Sequence, residues 1–442
     1  MAIALSNRRV VLARIEGTRG TAETLDPTLD GVPLLREAQA EIEPVRVDRP
    51  TIRLSLTDYA DTYPGKYRAT LTISVEIHGR DTGFPTTPPS WTRLLRASNF
   101  SLFDNAANLF AYRVSALTTD NGPLRHGESV AGTALNVGGG HFMFGDSFSH
   151  DGGEFTTVFV NENGAGVGSG TITSVRGGGT ETVFTIDQRS TVKLLGYTPD
   201  SDVNATGNNA TIEVFKDGKK VKAKGCMGNV EFQFNHGDAC VAQFTMQGIL
   251  QAGFGYVDAA IPANAYEGHK LPPTFLGSRV TLSGTANNPV ASNRYGSGAA
   301  GAIEGALSQI RLNSGNNVLL QDNSLDPDGT TFAIVTDREP TGSINPSEVF
   351  NAEYNFMQQF INGTPVRMKI LLGATSHNDV TTADLNSFDF MCPGITFTGL
   401  ADADRDGVNI FDGSFAMGGG DYDTSALGEL PGQDNEFVIV HR

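Results

Sequence analysis

Residues 225–248 read GCMGNVEFQFNHGDACVAQFTMQG, and this stretch decides most of what the sequence says about the fold. Val230, Phe232 and Phe234 alternate with polar residues before the turn at 235–238, and the alternation resumes after it. A period of two is the pattern of a half-buried β-strand, and two such runs around a polar turn predict a hairpin. The stretch therefore indicates a fold built from antiparallel strands.

The same pattern occurs elsewhere along the chain. Residues 211–223 form two short runs around Asp217-Gly218, which predicts a second hairpin. Strands are also predicted at 366–370 and 436–440. Residues 67–78 alternate, with one apolar face of Leu71, Ile73, Val75 and Ile77 and one polar face of Thr70, Thr72, Ser74, Glu76 and His78.

A second stretch resembles the first one. Residues 391–419 read MCPGITFTGLADADRDGVNIFDGSFAMGG, and they share with 225–248 a Cys-x-Gly start, a strand, a polar turn and a Phe-x-Met-x-Gly end. Cys392 aligns with Cys226, and Phe415 aligns with Phe244. The similarity suggests one β-unit used twice in the chain.

Helical patterns are few. Trp91, Leu94 and Leu95 have helical spacing after a Pro-Pro pair, and they predict a short helix with Trp91 as a packing anchor. Residues 347–361 fit either a helix with one apolar face or an alternating strand, and both alternatives stay open.

Residues 120–206 differ from the rest, because short strand-like runs at 156–160, 171–175 and 182–186 lie between runs of glycine. We expect a small β-domain inserted into a larger one. The stretch 286–304 lacks alternation and is expected to be an exposed loop. The predicted fold is mainly β, with two β-barrel or sandwich units, flanking short helices and the insertion. The first unit is expected at 1–119 and 207–250, the inserted exterior domain at 120–206, and the second unit at 251–442.

Composition excludes several classes of protein. The 442 residues include 49 acidic and 32 basic ones, so the formal net charge is −17, which argues against a general nucleic-acid coat. No apolar run is long enough for a transmembrane helix, and the N-terminus does not resemble a secretory signal. Three cysteines with wide spacing predict buried thiols rather than a disulfide framework: Cys226, Cys240 and Cys392.

Two clusters of potential metal ligands occur in the sequence. Asp402, Asp404 and Asp406 precede Gly407 as in an EF-hand loop, but Gly413 stands where a bidentate Glu is required, which favours an acidic hairpin turn. The second cluster is favoured as solvated loop residues: His141, Asp146, His150 and Asp151. No nucleotide-binding or catalytic motif is present in the sequence. We therefore expect no enzyme, and no catalytic, cofactor-binding or metal site.

Charge is unevenly distributed along the chain. Residues 379–442 carry twelve Asp and Glu but only Arg405 and Arg442, whereas residues 1–70 contain ten acidic and ten basic residues. The acidic end is either a solvated surface or a surface that repels polyanions.

Several motifs, taken in order, resemble one family. They are Ala13-Arg14-Ile15-Glu16-Gly17-Thr18-Arg19-Gly20-Thr21, Pro89-Ser90-Trp91-Thr92-Arg93-Leu94-Leu95-Arg96-Ala97-Ser98-Asn99-Phe100, the hairpin 211–223 with 225–248, Thr336-Asp337-Arg338-Glu339-Pro340-Thr341-Gly342-Ser343, the turn Asp404-Arg405-Asp406-Gly407 and the acidic C-terminal strand. Together they resemble the major tail tube proteins of long-tailed, non-contractile (siphovirus-type) bacteriophages. The resemblance covers roughly 350 residues and omits 120–206.

The resemblance implies a virion protein, assembled in the host cytoplasm, whose rings stack into the tail tube that conducts the genome. Double-stranded DNA would cross the lumen without specific binding. The remaining partners implied are a tape-measure protein and the tail terminator and tip proteins, and no membrane is implied. If each chain holds two units, three chains form a pseudo-hexameric ring, with a homohexamer as the alternative.

Site residues under this hypothesis are of two kinds. The polar face of 67–78 is expected to line the lumen: Thr70, Thr72, Ser74 and Glu76. The N-terminal segment is expected to act as a ring-stacking arm: Arg8, Arg9, Arg14 and Arg19. The rival interpretations are a β-rich adhesin, a capsid-decoration protein and, more remotely, a β-rich hydrolase.

Overall fold

The protein was analysed as a computed structural model. It describes residues 9–35, 38–47, 63–78, 89–104, 129–131, 147–149, 155–162, 170–175, 195–199, 208–251, 256–262, 272–276, 278–283, 294–296, 307–349, 354–363, 365–372, 388–418 and 438–441. These residues are mainly in antiparallel strands with two short helices, which confirms the predicted β class.

The elements follow one another along the chain as three groups. The first contains β1 Arg9–Ile15, β2 Gly31–Val32, β3 Ala38–Val47, β4 Tyr63–Glu76, α1 Thr92–Ala97 and β5 Phe100–Asp104. The second contains β6 Ser129–Ala131, β7 Ser147–Ser149, β8 Phe155–Glu162, β9 Gly170–Val175, β10 Leu195–Pro199, β11 Ala210–Lys216, β12 Lys219–Asn235, β13 Val241–Leu250 and β14 Tyr256–Asp258. The third contains β15 Arg279–Ser283, β16 Arg294–Gly296, β17 Leu307–Asn313, β18 Asn316–Asp322, β19 Thr330–Arg338, β20 Thr341–Pro346, α2 Phe356–Asn362, β21 Val366–Leu372, β22 Phe388–Arg405, β23 Val408–Gly418 and β24 Val438–His441.

Two sets of strands pair in the same order. In the first strand set the order is β2-β1-β11-β12-β13-β4-β3, and β14 also pairs with β12. In the second strand set the order is β16-β15-β21-β22-β23-β20-β17, and β24 also pairs with β22. Each strand of one set thus has an equivalent in the other, in the same chain order, and α1 corresponds to α2.

The two sets are joined by one strand pair. Residues 231–235 of β12 pair with residues 309–313 of β17, while the other edge of β12 pairs with β13. The result is a continuous run of eight antiparallel strands, β3-β4-β13-β12-β17-β20-β23-β22. Within the described residues this run is open, with β3 and β22 at its two ends.

Part of the region 120–206 forms a separate sheet. The order of its four strands is β7-β8-β9-β6, and β8 and β9 coincide with the strands predicted at 156–160 and 171–175. The run predicted at 182–186 lies outside the described residues. β10 pairs instead with β5 and β24, so this part of 120–206 belongs to the main sheet. β14 follows the predicted boundary at 250 but pairs with β12 of the first set. The domain boundaries themselves stay a prediction.

The local predictions for hairpins are confirmed. β11 and β12 meet at Asp217-Gly218, where Gly218 has a φ of 89°. β12 and β13 meet at the predicted turn, where Gly237 has a φ of 82°. β12 continues through both hairpins as one strand of 17 residues, which the sequence pattern did not show. The expected loop at 286–304 is wrong at one point, because β16 lies there and pairs with β15.

The core lies on one face of the sheet. Trp91 precedes α1, is fully buried and donates from Nε1 to the carbonyl of His78 at 3.0 Å, which confirms its role as an anchor. Phe232 and Phe234 of the first set contact Phe390 of the second set edge-on, at ring distances of 5.1 and 5.0 Å. One continuous core therefore supports both sets.

The ambiguous segment 347–361 contains a helix only at its end. Asn355 accepts a hydrogen bond from the Gln358 amide at 2.8 Å, and Gly363 has a φ of 58°. An Asn N-cap and a left-handed Gly at the C-terminus define the seven-residue helix α2 between them.

The β18–β19 hairpin packs on the first set rather than on its own set. Leu320 and Val335 of the hairpin form a small core with Met227 and Ile249 of β12 and β13. Lys224 of β12 pairs with Asp328 of the hairpin turn at 2.7 Å. Because the hairpin lies between β17 and β20, this contact fixes the second set to the first.

A buried polar cluster supports that contact. Glu16 accepts hydrogen bonds from the amides of Gly20 and Gly225 and from the Thr211 hydroxyl, at 2.7, 2.7 and 2.9 Å. Asn209 donates from Nδ2 to the carbonyls of Gly225 and Ala333, at 3.1 and 2.8 Å. Burial raises the pKa of Glu16.

Candidate functional site: the polar face of the eight-stranded sheet

Polar side chains cover the face of the eight-stranded run that points away from the core. On β4, Leu71, Ile73 and Val75 are fully buried, while the residues between them are half-buried on the opposite face. The strand pairings bring the alternate residues of neighbouring strands to that same face. The members of this polar face are Gln39, Glu41, Glu43, Arg68, Thr70, Thr72, Ser74, Glu76, Asn229, Glu231, Gln233, Asn235, Val241, Gln243, Thr245, Gln247, Gln309, Arg311, Asn313, Thr341, Ser343, Asn345, Thr396, Ala401, Asp412, Ser414 and Ala416.

The four residues predicted to line a lumen lie on this face. Thr70, Thr72, Ser74 and Glu76 stand opposite Gln247, Thr245, Gln243 and Val241 of β13, respectively. Their alternation with the buried Leu71, Ile73 and Val75 is as predicted. Their position in a lumen stays a prediction.

Neutral side chains on the polar face hydrogen-bond to one another. Asn229 donates to Asn313 at 2.7 Å across the junction of the two strand sets. Gln233 donates to Glu231 at 3.0 Å, and the side chains of Gln309 and Asn235 lie 2.8 Å apart. These contacts pair several of the amide side chains with one another within the sheet.

The polar face carries charges of both signs. Its acidic members are Glu41, Glu43, Glu76, Glu231 and Asp412. The basic side chains at positions of the same alternation are Lys66, Arg68, Lys224, Arg311 and Arg405. The acidic and basic side chains of this face therefore balance, and a polyanion near it would meet no basic excess.

A shallow depression lies on the part of the polar face formed by the second strand set. Its volume is about 420 Å³, and its lining includes Gln309, Ser343, Asn345, Asp412 and Ser414. Asn345 accepts from the amides of Ser308 and Gln309, at 3.1 and 2.7 Å. The side-chain oxygen of Asn345 is thus already used by the chain itself.

The arginines predicted to form an arm contact their own chain. Arg9 donates to the Ala38 carbonyl at 2.8 Å, and Arg14 to the Thr24 carbonyl at 2.7 Å. Arg19 donates to Asn209 at 2.9 Å and lies 5.0 Å from the centre of the Phe332 ring. Arg8 lies outside the described residues. An arm built from these residues would first have to give up these contacts, and the ring-stacking arm stays a prediction.

The acidic motif at 402–407 forms a tight turn between β22 and β23. Asp406 and Gly407 have φ values of 54° and 85°, and the Gly407 amide donates to Asp404 at 3.2 Å. This geometry is that of a two-residue hairpin turn. The cluster of His141, Asp146, His150 and Asp151 lies outside the described residues.

The three thiols are buried and free, as predicted. Burial raises the pKa of Cys240 to about 12 and raises the pKa of Cys226 and Cys392 as well. A thiol that stays protonated at neutral pH is a poor nucleophile. These residues therefore act as small apolar side chains in the core.

Sequence reasoning found one strand of the polar face and missed the others. Glu231 and Gln233 alternate with the buried Val230 and Phe232, so the same signal was present in the hairpin 229–248. The pattern could not show which strands are neighbours. Strands that lie about 80 residues apart in the sequence leave no local signal of their pairing.

Comparison with protein-family models gave no match for this chain. Comparison with curated proteins gave no match either. Among the described residues, no helix is long and apolar enough to cross a membrane.

Proposed function

We propose that this chain is a structural virion protein: the tail tube subunit of a long-tailed, non-contractile bacteriophage. The observation that carries the proposal is the eight-stranded run, which presents one polar face and one apolar, buried face. Such a sheet suits the wall of an aqueous channel, because the polar side faces the lumen and the apolar side faces its own core.

The polar face fits the passage of double-stranded DNA. The acidic and basic side chains of the face balance, and the whole chain has a formal net charge of −17, so no basic excess would hold a polyanion. DNA would therefore cross such a lumen without specific binding. No catalytic step is proposed for the chain.

The repeated order of strands supports a ring of three chains. Because each chain carries two equivalent strand sets, three chains supply six sets around the axis. A ring of six chains is the alternative. Rings would stack into the tube in the virion tail, after assembly in the host cytoplasm, with a tape-measure protein and the terminator and tip proteins as further partners.

Negative-stain electron microscopy of the purified chain at high concentration tests the proposal. We expect hollow tubes or rings with a regular axial repeat and threefold symmetry in averaged end-on views. Sixfold symmetry of whole subunits would contradict the ring of three chains, but it would not contradict the proposed tube. Single rings that do not stack would support the ring and show that the purified chain lacks the contact between rings.

The variants Glu76→Lys and Glu231→Lys together test the role of the polar face. Both side chains point away from the core, so we expect unchanged assembly but a tube that retains double-stranded DNA at low salt. The matched control Thr72→Ser keeps the charge. Equal DNA retention by both tubes would show that this face does not line the lumen.

A further inference from the structure

The basic side chains of the polar face are not evenly spread, because three of them lie together at one end. Arg68 of β4 and Lys224 of β12 both stand opposite Ile249 of β13, so these positions form one row across three strands. Lys66 lies two residues before Arg68 on β4 and points to the same side of the sheet. Lys66, Arg68 and Lys224 are therefore neighbours, and together they form the basic cluster.

The β18–β19 hairpin covers this end of the polar face. Met227 and Ile249 belong to the same alternation as the polar residues of β12 and β13, and they pack against Leu320 and Val335 of the hairpin. In the hairpin turn, a Cβ at the position of Gly329 would lie 3.2 Å from Cγ of Lys66. The turn therefore rests directly on the basic cluster.

Two carboxylates of the turn pair with the basic cluster. Asp322 Oδ2 lies 2.5 Å from Nζ of Lys66, and Asp328 Oδ2 lies 2.7 Å from Nζ of Lys224. The hydrogen bond from Lys66 lowers the pKa of Asp322, and the charges of Lys66 and Arg68 lower it further. The turn thus neutralises the cations that it covers.

We propose that the basic cluster is a binding site for a polyanion, double-stranded DNA, and that the hairpin turn keeps this site closed. Once Asp322 and Asp328 no longer neutralise it, the cluster binds backbone phosphates without regard to base sequence. The proposal rests on the proposed function, because DNA is the polyanion that would pass the polar face. In the tube, the hairpin would then prevent the face from holding the DNA.

The charge of the uncovered site follows from the strand pairs. Glu43 of β3 stands opposite Arg68 and offsets one positive charge, so the cluster keeps two charges when the turn is neutral. The side chains of Lys224 and Asp328 are only 14% and 11% exposed. An ammonium group that loses its partner in such a site takes another anion or moves into water, because an unpaired buried charge is costly. A phosphate oxygen accepts from an ammonium group as a carboxylate does, so DNA can replace the aspartates.

The double variant Asp322→Asn with Asp328→Asn tests the proposal. Both changes keep the size of the side chain, and the apolar contacts of Leu320 and Val335 with the first set stay. Binding of a short fluorescent DNA duplex to the purified, unassembled chain is measured by anisotropy. We expect the double variant to bind about tenfold more tightly than the unmodified chain at low salt, and to lose about tenfold in affinity between 50 and 200 mM salt, as for two phosphate contacts.

Asp337→Asn with Glu339→Gln is the matched control. It removes two negative charges from exposed positions at the base of the same hairpin, at the opposite end from the turn. We expect this control to bind DNA as weakly as the unmodified chain does. Adding Lys66→Gln and Lys224→Gln to the double variant should abolish its gain in affinity.

Equal binding by the double variant and by the matched control would overturn the proposal. If circular dichroism shows that the double variant does not fold, Asp322→Asn alone decides, because that side chain is 58% exposed and the Lys224 pair stays intact. A smaller gain in DNA binding by Asp322→Asn would support the proposal, and no gain would overturn it. Electron micrographs of the unmodified chain test the proposed function separately, since absence of tubes and rings would contradict that function whatever the DNA binding shows.

Discussion

The first and second strand sets have the same order of strands but carry their additional chain in different places. In the first set, residues 98–209 lie between α1 and β11, whereas in the second set the β18–β19 hairpin lies between β17 and β20. Both segments contact the other set: β10 within 98–209 pairs with β24, and the β18–β19 hairpin packs on β12 and β13. The comparison teaches that the common strands form the sheet, while the insertions determine how one set is fixed to another.

The two sets also differ in how completely β12 and its equivalent, β22, are buried. Phe232 of β12 is fully buried and contacts Phe234 and Phe390, because β17 covers the outer edge of this strand. Because Phe415 aligns with Phe244, Leu400 of β22, opposite Gly413, is the equivalent of Phe232, opposite Ala242, and it is only partly buried. Equivalent positions therefore make unequal contributions to the isolated chain.

The largest expected effect is that of Phe232→Ala. Removal of this fully buried ring should lower the free energy of unfolding by about 3–5 kcal/mol, because the cavity lies between the two sets. Leu400→Ala should cost about 1–2 kcal/mol in the unassembled protein, since its site is already partly open to water. Urea denaturation of both variants checks the difference, and equal losses would contradict the asymmetry.

Asn209→Ala should have an intermediate effect on the hairpin contact. The variant leaves the carbonyls of Gly225 and Ala333 without their donor, which should cost about 1–3 kcal/mol. We expect faster hydrogen exchange in β19, measured by mass spectrometry. The control Asn317→Ala alters an exposed side chain on the same hairpin and should change little. Unchanged exchange in β19 would show that apolar packing and the Lys224–Asp328 ion pair fix the hairpin without Asn209.

Glu16→Gln should have the smallest effect, and it depends on pH. Burial raises the pKa of Glu16, so the native state holds this proton more tightly than the unfolded chain does. The contribution of Glu16 to the free energy of unfolding is complete below the ordinary pKa of a glutamate. It is lost as the pH rises through the raised pKa of Glu16 in the native state. Thermal unfolding from pH 4 to 8 should show a decline in this window that Glu16→Gln lacks and Glu41→Gln retains. If the unmodified protein, Glu16→Gln and Glu41→Gln all show the same decline, groups other than Glu16 cause it.

Local features of the fold could be predicted from the sequence. Asp217-Gly218 and the turn at 235–238 determine two hairpins because glycine accepts positive φ there. The helix α2 stayed ambiguous because apolar spacing alone fits two periods, although Asn355 and Gly363 carried the capping signals that decide it.

The pairing of distant strands could not be predicted. Nothing near Glu231 indicates that Asn313 is its neighbour, and nothing in 316–338 indicates that this hairpin packs on β12 and β13. The polar face was accordingly found on one strand and missed on seven, because a face is a property of paired strands rather than of one alternating run.

The β12–β17 pair also has a kinetic consequence. Its two strands belong to one polypeptide, so they meet at an effective concentration set by the connecting chain rather than by the amount of protein in solution. This joint forms during folding, before any second copy is encountered. A ring of three such chains needs two bimolecular encounters, whereas a ring of six single-set subunits needs five, so its nucleation would depend less steeply on subunit concentration.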